Sequence, residues 1–169
     1  MKDLDFLKKL VEEGKISPIA PSGNLHRAYM KKSEDCLSSA KVLLERGLFE
    51  NSVTMSYYSM YNALTAVLLK VGVKSESHAG SLAVFKELFR DQKELYELIS
   101  AAKRERIDKQ YYVSAESSRD ATRRDTENLI LGAENFLSIL TPLAAKLSTE
   151  EVEAMRKGLN ERIFVRKST

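Results

Sequence analysis

The chain has 169 residues, of which 43% are hydrophobic and 30% charged, and its formal net charge at pH 7 is +3. This length suits one domain with its own core, and this composition excludes a disordered chain. No run approaches the roughly 18 apolar residues of a membrane-spanning helix. The N-terminal segment carries acids where a signal peptide would be apolar, so we expect a soluble cytoplasmic protein.

Residues that bind metals or form disulfides are scarce in this sequence. The single cysteine, Cys36, cannot form an internal disulfide, and the chain has only two histidines, His26 and His78. Zinc and copper centres draw mainly on these two residue types. The sequence therefore predicts no metal site, and we expect no cofactor.

The first predicted element is an amphipathic helix from Asp3 to Glu13. The segment SPIAPSG separates it from the rest of the chain, and its prolines at positions 18 and 21 cannot continue a helix. We expect residues 1–21 to form a helical arm and linker that dock on the remainder.

The central segment, residues 22–147, has apolar residues at three- and four-residue spacing, which predicts amphipathic helices. In the first of them, Leu25 and Ala28 begin a stripe predicted to be buried. Asp91 with Glu94 predicts a capping box for the fourth. The predicted helices cover residues 24–46, 50–70, 78–89, a stretch after 91, and about 119–146.

The links between these helices are short, which favours antiparallel neighbours and an all-α, up-and-down helical bundle. In the last segment, residues 148–169, Ser148 with Glu151 predicts the cap of a short C-terminal helix. The apolar residues 163–165 that follow are predicted to pack on a neighbouring subunit or to fray.

Positive charge is concentrated in residues 103–124, which we call the basic corner. This stretch has seven Lys or Arg and four Asp or Glu, an excess of three that equals the net charge of the whole chain. One interpretation is binding of phosphate or RNA backbone, with Tyr111 and Tyr112 stacking on bases. The other is a solvated surface where Glu105 and Asp108 pair with nearby cations. The cations predicted to bind phosphate or nucleotide are Arg104, Arg106, Lys109, Arg119, Arg123 and Arg124.

Two segments resemble HEPN-domain proteins (higher eukaryotes and prokaryotes nucleotide-binding). The segment SYYSMYNALTAVLLKVGVKSESHAGSLAVFKELF, residues 56–89, resembles a helix pair of small prokaryotic members. Family ribonucleases end a helix with an arginine, four residues, a histidine, one residue and a tyrosine. Arg104, Lys109 and Tyr111 hold those positions here. The resemblance implies a helical bundle of HEPN type and a homodimer that pairs its motif helices across a two-fold axis.

The resemblance also implies a choice between binding and catalysis. In family ribonucleases the arginine and histidine assist attack by a ribose 2′-hydroxyl on the adjacent phosphate. Lys109 replaces that histidine, and a lysine with a pKa of about 10.4 attracts phosphate but does not exchange protons at neutral pH.

The favoured expectation is a non-catalytic or degenerate HEPN protein that binds nucleotide, phosphate or RNA. The family implies a small nucleotidyltransferase as its partner in a toxin–antitoxin-like pair, an enzyme that can transfer AMP to the tyrosine at the position of Tyr111. The alternative is a metal-independent ribonuclease toxin that uses Arg104 with a non-standard partner, for which Lys109 and His78 are the candidates.

Four aromatic side chains near the first segment have open roles. His78 either replaces the missing histidine or serves packing and a local hydrogen bond, and the second role is favoured. Tyr57 and Tyr61 lie on a stripe predicted to be buried. Tyr58 is predicted to point elsewhere, toward Tyr111 or a partner.

Overall fold

The structure is a computed structural model that describes residues 2–111 and 121–164, apart from the side chains of residues 2 and 108–111. It confirms the all-α class. A π-helical turn, Asn160–Phe164, follows the last helix. The helices are α1 (Lys2–Glu12), α2 (Gly23–Glu45), α3 (Phe49–Val71), α4 (His78–Leu88), α5 (Lys93–Tyr111), α6 (Arg123–Lys146) and α7 (Thr149–Leu159); the strands are β1 (Ile16–Pro18) and β2 (Val73–Ser75).

Hydrogen bonds fix α2 and α3 as an antiparallel pair. The bonds join His26 Nδ1 to Ala66 O (3.0 Å), Ser33 Oγ to Ser59 O (2.7 Å) and Ser52 Oγ to Ala40 O (2.7 Å). The residue numbers of each pair add to the same value, as they must when two helices run in opposite directions. The serine hydroxyls are buried and satisfied, and their small size lets the two helices approach closely.

α6 runs parallel to α3. Near its start, the Arg123 guanidinium lies over the ring of Phe49, 5.6 Å from its centroid, and near its end Lys70 donates a hydrogen bond to Ala144 O. Residue numbers therefore rise together along both helices. With the short α4 left aside, α3, α5 and α6 are successive main helices, and α3 and α6 run in the same direction as alternate helices of an up-and-down bundle do.

The central helix of the bundle is α3. Fourteen of its 23 residues are buried, so it is covered on most sides. Met60 and Leu64 pack in one core with Ile99 of α5 and Phe136 and Leu140 of α6.

Among the helices described, α6 alone is long and apolar enough to span a membrane by length and composition. Four of its six buried residues, Ala133, Phe136, Leu140 and Ala144, belong to this shared core.

Both ends of the chain join the same core. Leu7 and Leu10 of α1 are buried, which confirms a docked N-terminal helix. Ile163 is also buried, in a turn that packs against α1, so its predicted contact with a neighbouring subunit is wrong. Val165 lies outside the described residues. The boundaries at residues 21 and 147 stay predictions.

The strands were not predicted. Ile16–Pro18 pairs antiparallel with Val73–Ser75, within segments that the sequence indicated only as links. Three residues are too few for an alternating pattern to be visible. This small sheet ties the segment after α1 to the segment that leads into α4.

Three predicted helix details are wrong. Leu25 and Ala28 are exposed, because the side of α2 that faces α3 runs through the polar His26 and Ser33 instead. α5 begins at Lys93, so Asp91 does not directly precede it and makes no capping box.

Capping also explains where α6 and α7 begin. α6 begins at Arg123 rather than near 119, because Thr122 and Asp125 form a capping box. Arg119 lies outside the described residues. The capping box of Ser148 and Glu151 is confirmed at the start of α7.

Gly72→Ala should destabilise the fold more than Gly47→Ala, although both glycines have positive φ (88° and 72°). A Cβ at Gly72 would lie 2.7 Å from Ile19 O and would strike the Arg156 guanidinium, which donates a hydrogen bond to that oxygen. A Cβ at Gly47 meets nothing within 4 Å. We expect the free energy of unfolding in urea to fall by about 2–4 kcal/mol for Gly72→Ala and about 1 kcal/mol for Gly47→Ala. Equal losses would show that the clash at Gly72 is relieved at no cost.

Candidate functional site

Three tyrosines of α3 and the first residue of α4 form a tyrosine–histidine cluster: Tyr57, Tyr58, Tyr61 and His78. The His78 ring stacks on Tyr61 with centroids 3.9 Å apart and planes 10° apart, and Tyr58 meets it edge-on at 6.2 Å. Nδ1 of His78 lies 2.7 Å from the Tyr57 hydroxyl. His78 thus makes the local hydrogen bond that the sequence favoured.

The local sequence explains how these rings meet. Tyr57 and Tyr61 are four residues apart and share one side of α3. Gly72, with its positive φ, ends α3, and the chain turns back through β2. Ser77 then caps α4 by accepting a hydrogen bond from Gly80 N (3.1 Å), which places His78 at the first helical position.

The proton positions in the cluster follow from burial. Tyr57 is fully buried, and its hydroxyl has no acceptor other than His78 among the residues described. The hydroxyl therefore donates to Nδ1, which leaves the proton of the neutral imidazole on Nε2. Burial raises the pKa of Tyr57 far above its usual range, so the phenol keeps its proton. Burial also lowers the pKa of His78, and the charges of Arg106 and Lys103 lower it further.

Arg106 joins this cluster from α5. Its guanidinium carbon lies 5.0 Å from the centroid of the Tyr58 ring and 5.4 Å from that of Tyr57, within the range of cation–π attraction. Its Nε is buried without a hydrogen-bond partner. No acidic side chain pairs with Lys103, Arg104 or Arg106 within the part of the chain that the structure describes.

The predicted phosphate-binding residues other than Arg106 divide into three groups. Arg104 is exposed and, two residues from Arg106, points to the opposite side of α5. Arg123 and Arg124 begin α6, where Arg123 lies 3.6 Å from Glu127 and over Phe49. Phe49 precedes Tyr57 by eight residues, about 12 Å along α3. The side chains of Lys109 and Tyr111, and the residues Tyr112 and Arg119, lie outside the description.

Sequence reasoning missed two aspects of this site. Tyr58 does not point away from the cluster, because its half-buried ring contacts Tyr57 and Arg106. The different roles of Arg104 and Arg106 were also missed. A signal existed, because Leu95, Ile99 and Ala102 form the buried stripe of α5 and Arg106 follows at the same spacing.

The arrangement combines unpaired positive charge, a neutral imidazole donor and aromatic faces at one half-buried place. These groups suit a phosphate with an adjacent base. A simpler role for the cations is to stabilise the C-terminal end of α5, where the helix dipole is negative. That role does not require a guanidinium on two tyrosine rings.

A cleft lies away from this cluster, between α1, α4 and α5. It has a volume of about 440 Å³, with Phe89 and Tyr96 among its walls. Its charges pair with each other, since Lys86 lies 2.8 Å from Asp3 and Glu87 accepts a hydrogen bond from Arg90. The cleft therefore offers no concentration of positive charge.

Comparison with known proteins gives one family. A sequence model of the HEPN domain matches residues 26–143, which is more than half of the chain. This range contains α3, α4 and α5, the three helices that build the site, and it agrees with the resemblance seen in the sequence.

Named relatives match shorter parts. A UPF0332 protein of Gloeobacter violaceus is 38% identical over 56 residues, 33% of this chain and 44% of that protein. One of Pyrococcus horikoshii is 40% identical over 57 residues, 34% and 40% of the two chains. A Methanocaldococcus jannaschii protein named "Putative toxin" is 28% identical over 114 residues, 66% and 82% of the two chains. The matched region thus spans less than half of each UPF0332 relative and most of the third protein.

Tyr57→Phe should destabilise the protein, because it removes the hydroxyl that donates to His78 and leaves Nδ1 without its partner. Loss of one such buried hydrogen bond costs about 1–2 kcal/mol. Tyr58→Phe is the matched control, since the Tyr58 hydroxyl has no hydrogen bond to the residues described, and it should change the free energy of unfolding by less than about 0.5 kcal/mol. Urea denaturation measures both. Equal effects would mean that the Tyr57–His78 bond contributes nothing to stability.

Proposed function

The chain belongs to the HEPN family, and we propose on that premise that it binds nucleotide or RNA phosphate at the basic corner without cleaving RNA. Arg106 and Lys103 would hold the phosphate at the tyrosine–histidine cluster. Arg104 would add charge on the exposed side of α5.

The observation that carries this proposal is the placement of Arg106. An arginine that only stabilises a fold is usually paired with a carboxylate or with backbone carbonyls. Arg106 is half-buried on Tyr57 and Tyr58, and among the described residues it has neither kind of partner. A bound phosphate would accept hydrogen bonds from the terminal nitrogens of its guanidinium.

The absence of cleavage is proposed from Lys109 and from the state of His78. Proton transfer at neutral pH requires a group that both takes and gives protons, and an unperturbed lysine stays charged. The ordinary pKa of a histidine lies close to neutral pH. In His78, however, Nδ1 already accepts a hydrogen bond from the Tyr57 hydroxyl and Nε2 carries the proton. It therefore presents a donor and no free lone pair to a ribose hydroxyl.

The alternative is a ribonuclease toxin that uses Arg104 with His78 or Lys109. Its support is the Methanocaldococcus jannaschii relative named as a toxin, which matches over 66% of this chain. In either case we propose the HEPN arrangement of a toxin–antitoxin-like pair with a small nucleotidyltransferase. Tyr111 would then be the residue that accepts AMP.

Binding is tested with a labelled single-stranded RNA by fluorescence anisotropy at several salt concentrations. Arg106→Gln should weaken binding about 3- to 10-fold and reduce the salt dependence by about one released counterion, since one phosphate contact is lost. Lys157→Gln is the control, because Lys157 is an exposed cation on α7. Its neighbour Arg156 donates a hydrogen bond to Ile19 O next to Gly72, where α3 ends. This end of α3 is about 20 Å from Tyr58, so the control lies far from the site.

The same RNA, incubated without metal and analysed by gel electrophoresis, should remain intact. Metal-independent cleavage that disappears in Arg104→Ala would establish the ribonuclease instead. Equal binding by wild type, Arg106→Gln and Lys157→Gln would reject the basic corner as the site.

We also propose a homodimer that pairs the α5 motif helices across a two-fold axis, with apolar side chains of the long helices covering a second contact. Val42 of α2 and Leu131 of α6 are 56% and 60% exposed, and the salt bridge between Lys41 and Glu134 (2.6 Å) joins these two helices. Sedimentation should give twice the 19.1 kDa mass of the chain, and Leu131→Glu should shift it toward the monomer. A concentration-independent monomer mass for the wild type would exclude the dimer.

A further inference from the structure

His78 lies in a positive surrounding, because among the residues described the charged groups that shift its pKa are Arg106 and Lys103. Tyr57, Tyr58 and Tyr61 face it from α3, and Lys103 and Arg106 approach it from α5. In the turn before α4, Lys74 and Glu76 pair with each other at 2.7 Å. α1 meets α4 at Gly80 through the apolar Leu10. The charge next to His78 is therefore that of the two cations on α5.

We propose that His78, Lys103 and Arg106 form a single phosphate-binding site, in which Nε2–H of His78 donates to a phosphate oxygen. This assignment rests on the proposed function and makes it more specific. It gives His78, which the sequence offered only as a catalytic or packing residue, the role of a ligand-binding residue.

The ring of His78 is held in one orientation before any ligand binds. The Tyr57 hydroxyl fixes Nδ1, and the stacked Tyr61 ring, itself 3.2 Å from Ser81 through its hydroxyl, fixes the plane. Nε2 lies on the other side of the imidazole from Nδ1 and has no partner among the residues described. A donor whose direction is already fixed loses little entropy when it binds.

Lys103 and Arg106 are suited to share one anion with His78. They are three residues apart on α5, so their side chains leave the helix on the same side. Arg106 and His78 both contact the rings of Tyr57 and Tyr58, which places α4 and α5 against the same part of α3. A phosphate offers oxygens enough for a guanidinium, an ammonium and one neutral N–H.

Such a site makes phosphate binding depend on pH. In the free protein, burial and the two cations hold the pKa of His78 below its ordinary value. A bound phosphate offsets the charge of Arg106 and Lys103 and favours the imidazolium, in which Nδ1–H donates to the Tyr57 oxygen, so binding raises the pKa of His78 and takes up a proton. Affinity should therefore increase as the pH falls through the pKa of His78.

The test uses the full chain and NMR titration of its two histidine rings. The pKa of each ring is measured from pH 5 to 8, free and saturated with ATP or with a short oligouridylate, so that free nucleotide and RNA backbone are separate probes. The pKa of His78 should rise by about one unit on saturation, which corresponds to about tenfold tighter binding at acid pH. His26 is the internal control, because its Nδ1 is bonded to Ala66 O on the side of α3 that faces α2.

The same affinities are measured for His78→Gln, which keeps an N–H donor but does not titrate, and for His26→Gln. The increase in affinity at acid pH should be lost only in His78→Gln. A His78 pKa that is unchanged in the saturated complex, or an unchanged pH dependence in His78→Gln, overturns this assignment while leaving the proposed function standing. A wild type that binds neither probe at any pH overturns both.

Discussion

The buried hydroxyl of Tyr57 is the constraint on which the arrangement of the site depends. A phenol excluded from water must donate its proton to some acceptor, and His78 Nδ1 is that acceptor among the residues described. This one bond fixes the start of α4 against α3, the plane of the imidazole and the position of its second proton. Arg106 of α5 packs on the same tyrosine rings. The helices α3, α4 and α5 therefore meet at one place, and the Tyr57–His78 hydrogen bond sets the geometry there.

Arg106 has no carboxylate partner among the residues described, and its guanidinium lies on aromatic rings instead. Burying an unpaired charge is costly, and the aromatic faces of Tyr57 and Tyr58 recover only part of that cost. A nearby acid would have been the more stabilising choice, but it would also have neutralised the charge that attracts an anion. A site that gives up some stability to keep a charge available is a common property of binding surfaces.

The sequence predicted the helices well because their apolar spacing is regular and their caps are explicit, as at Ser148 and Glu151. The prediction that Leu25 is buried was wrong, because the side of α2 that contacts α3 carries serine and histidine. A search for regularly spaced apolar residues does not find a polar contact surface of this kind. The site was harder to predict. The spacing that resembles the family motif drew attention to Arg104. Helix periodicity, by contrast, places Arg106 toward the core. That Tyr58 and His78 lie beside Arg106 is visible only in the structure, where α3, α4 and α5 meet.

The central claim is that the guanidinium of Arg106 is held on two tyrosine rings with its hydrogen bonds left for a phosphate. Its Nε–Hε NMR cross-peak, assigned by its loss in Arg106→Lys, reports on this directly. The account predicts slow exchange with water and a shift from the nearby rings in the free protein. It also predicts movement of this cross-peak on titration with ATP or oligouridylate, while that of Arg156, which is bonded to Ile19 O, stays in place. A cross-peak that exchanges as fast as that of the exposed Arg104, or that does not move when ligand is saturating, would contradict it.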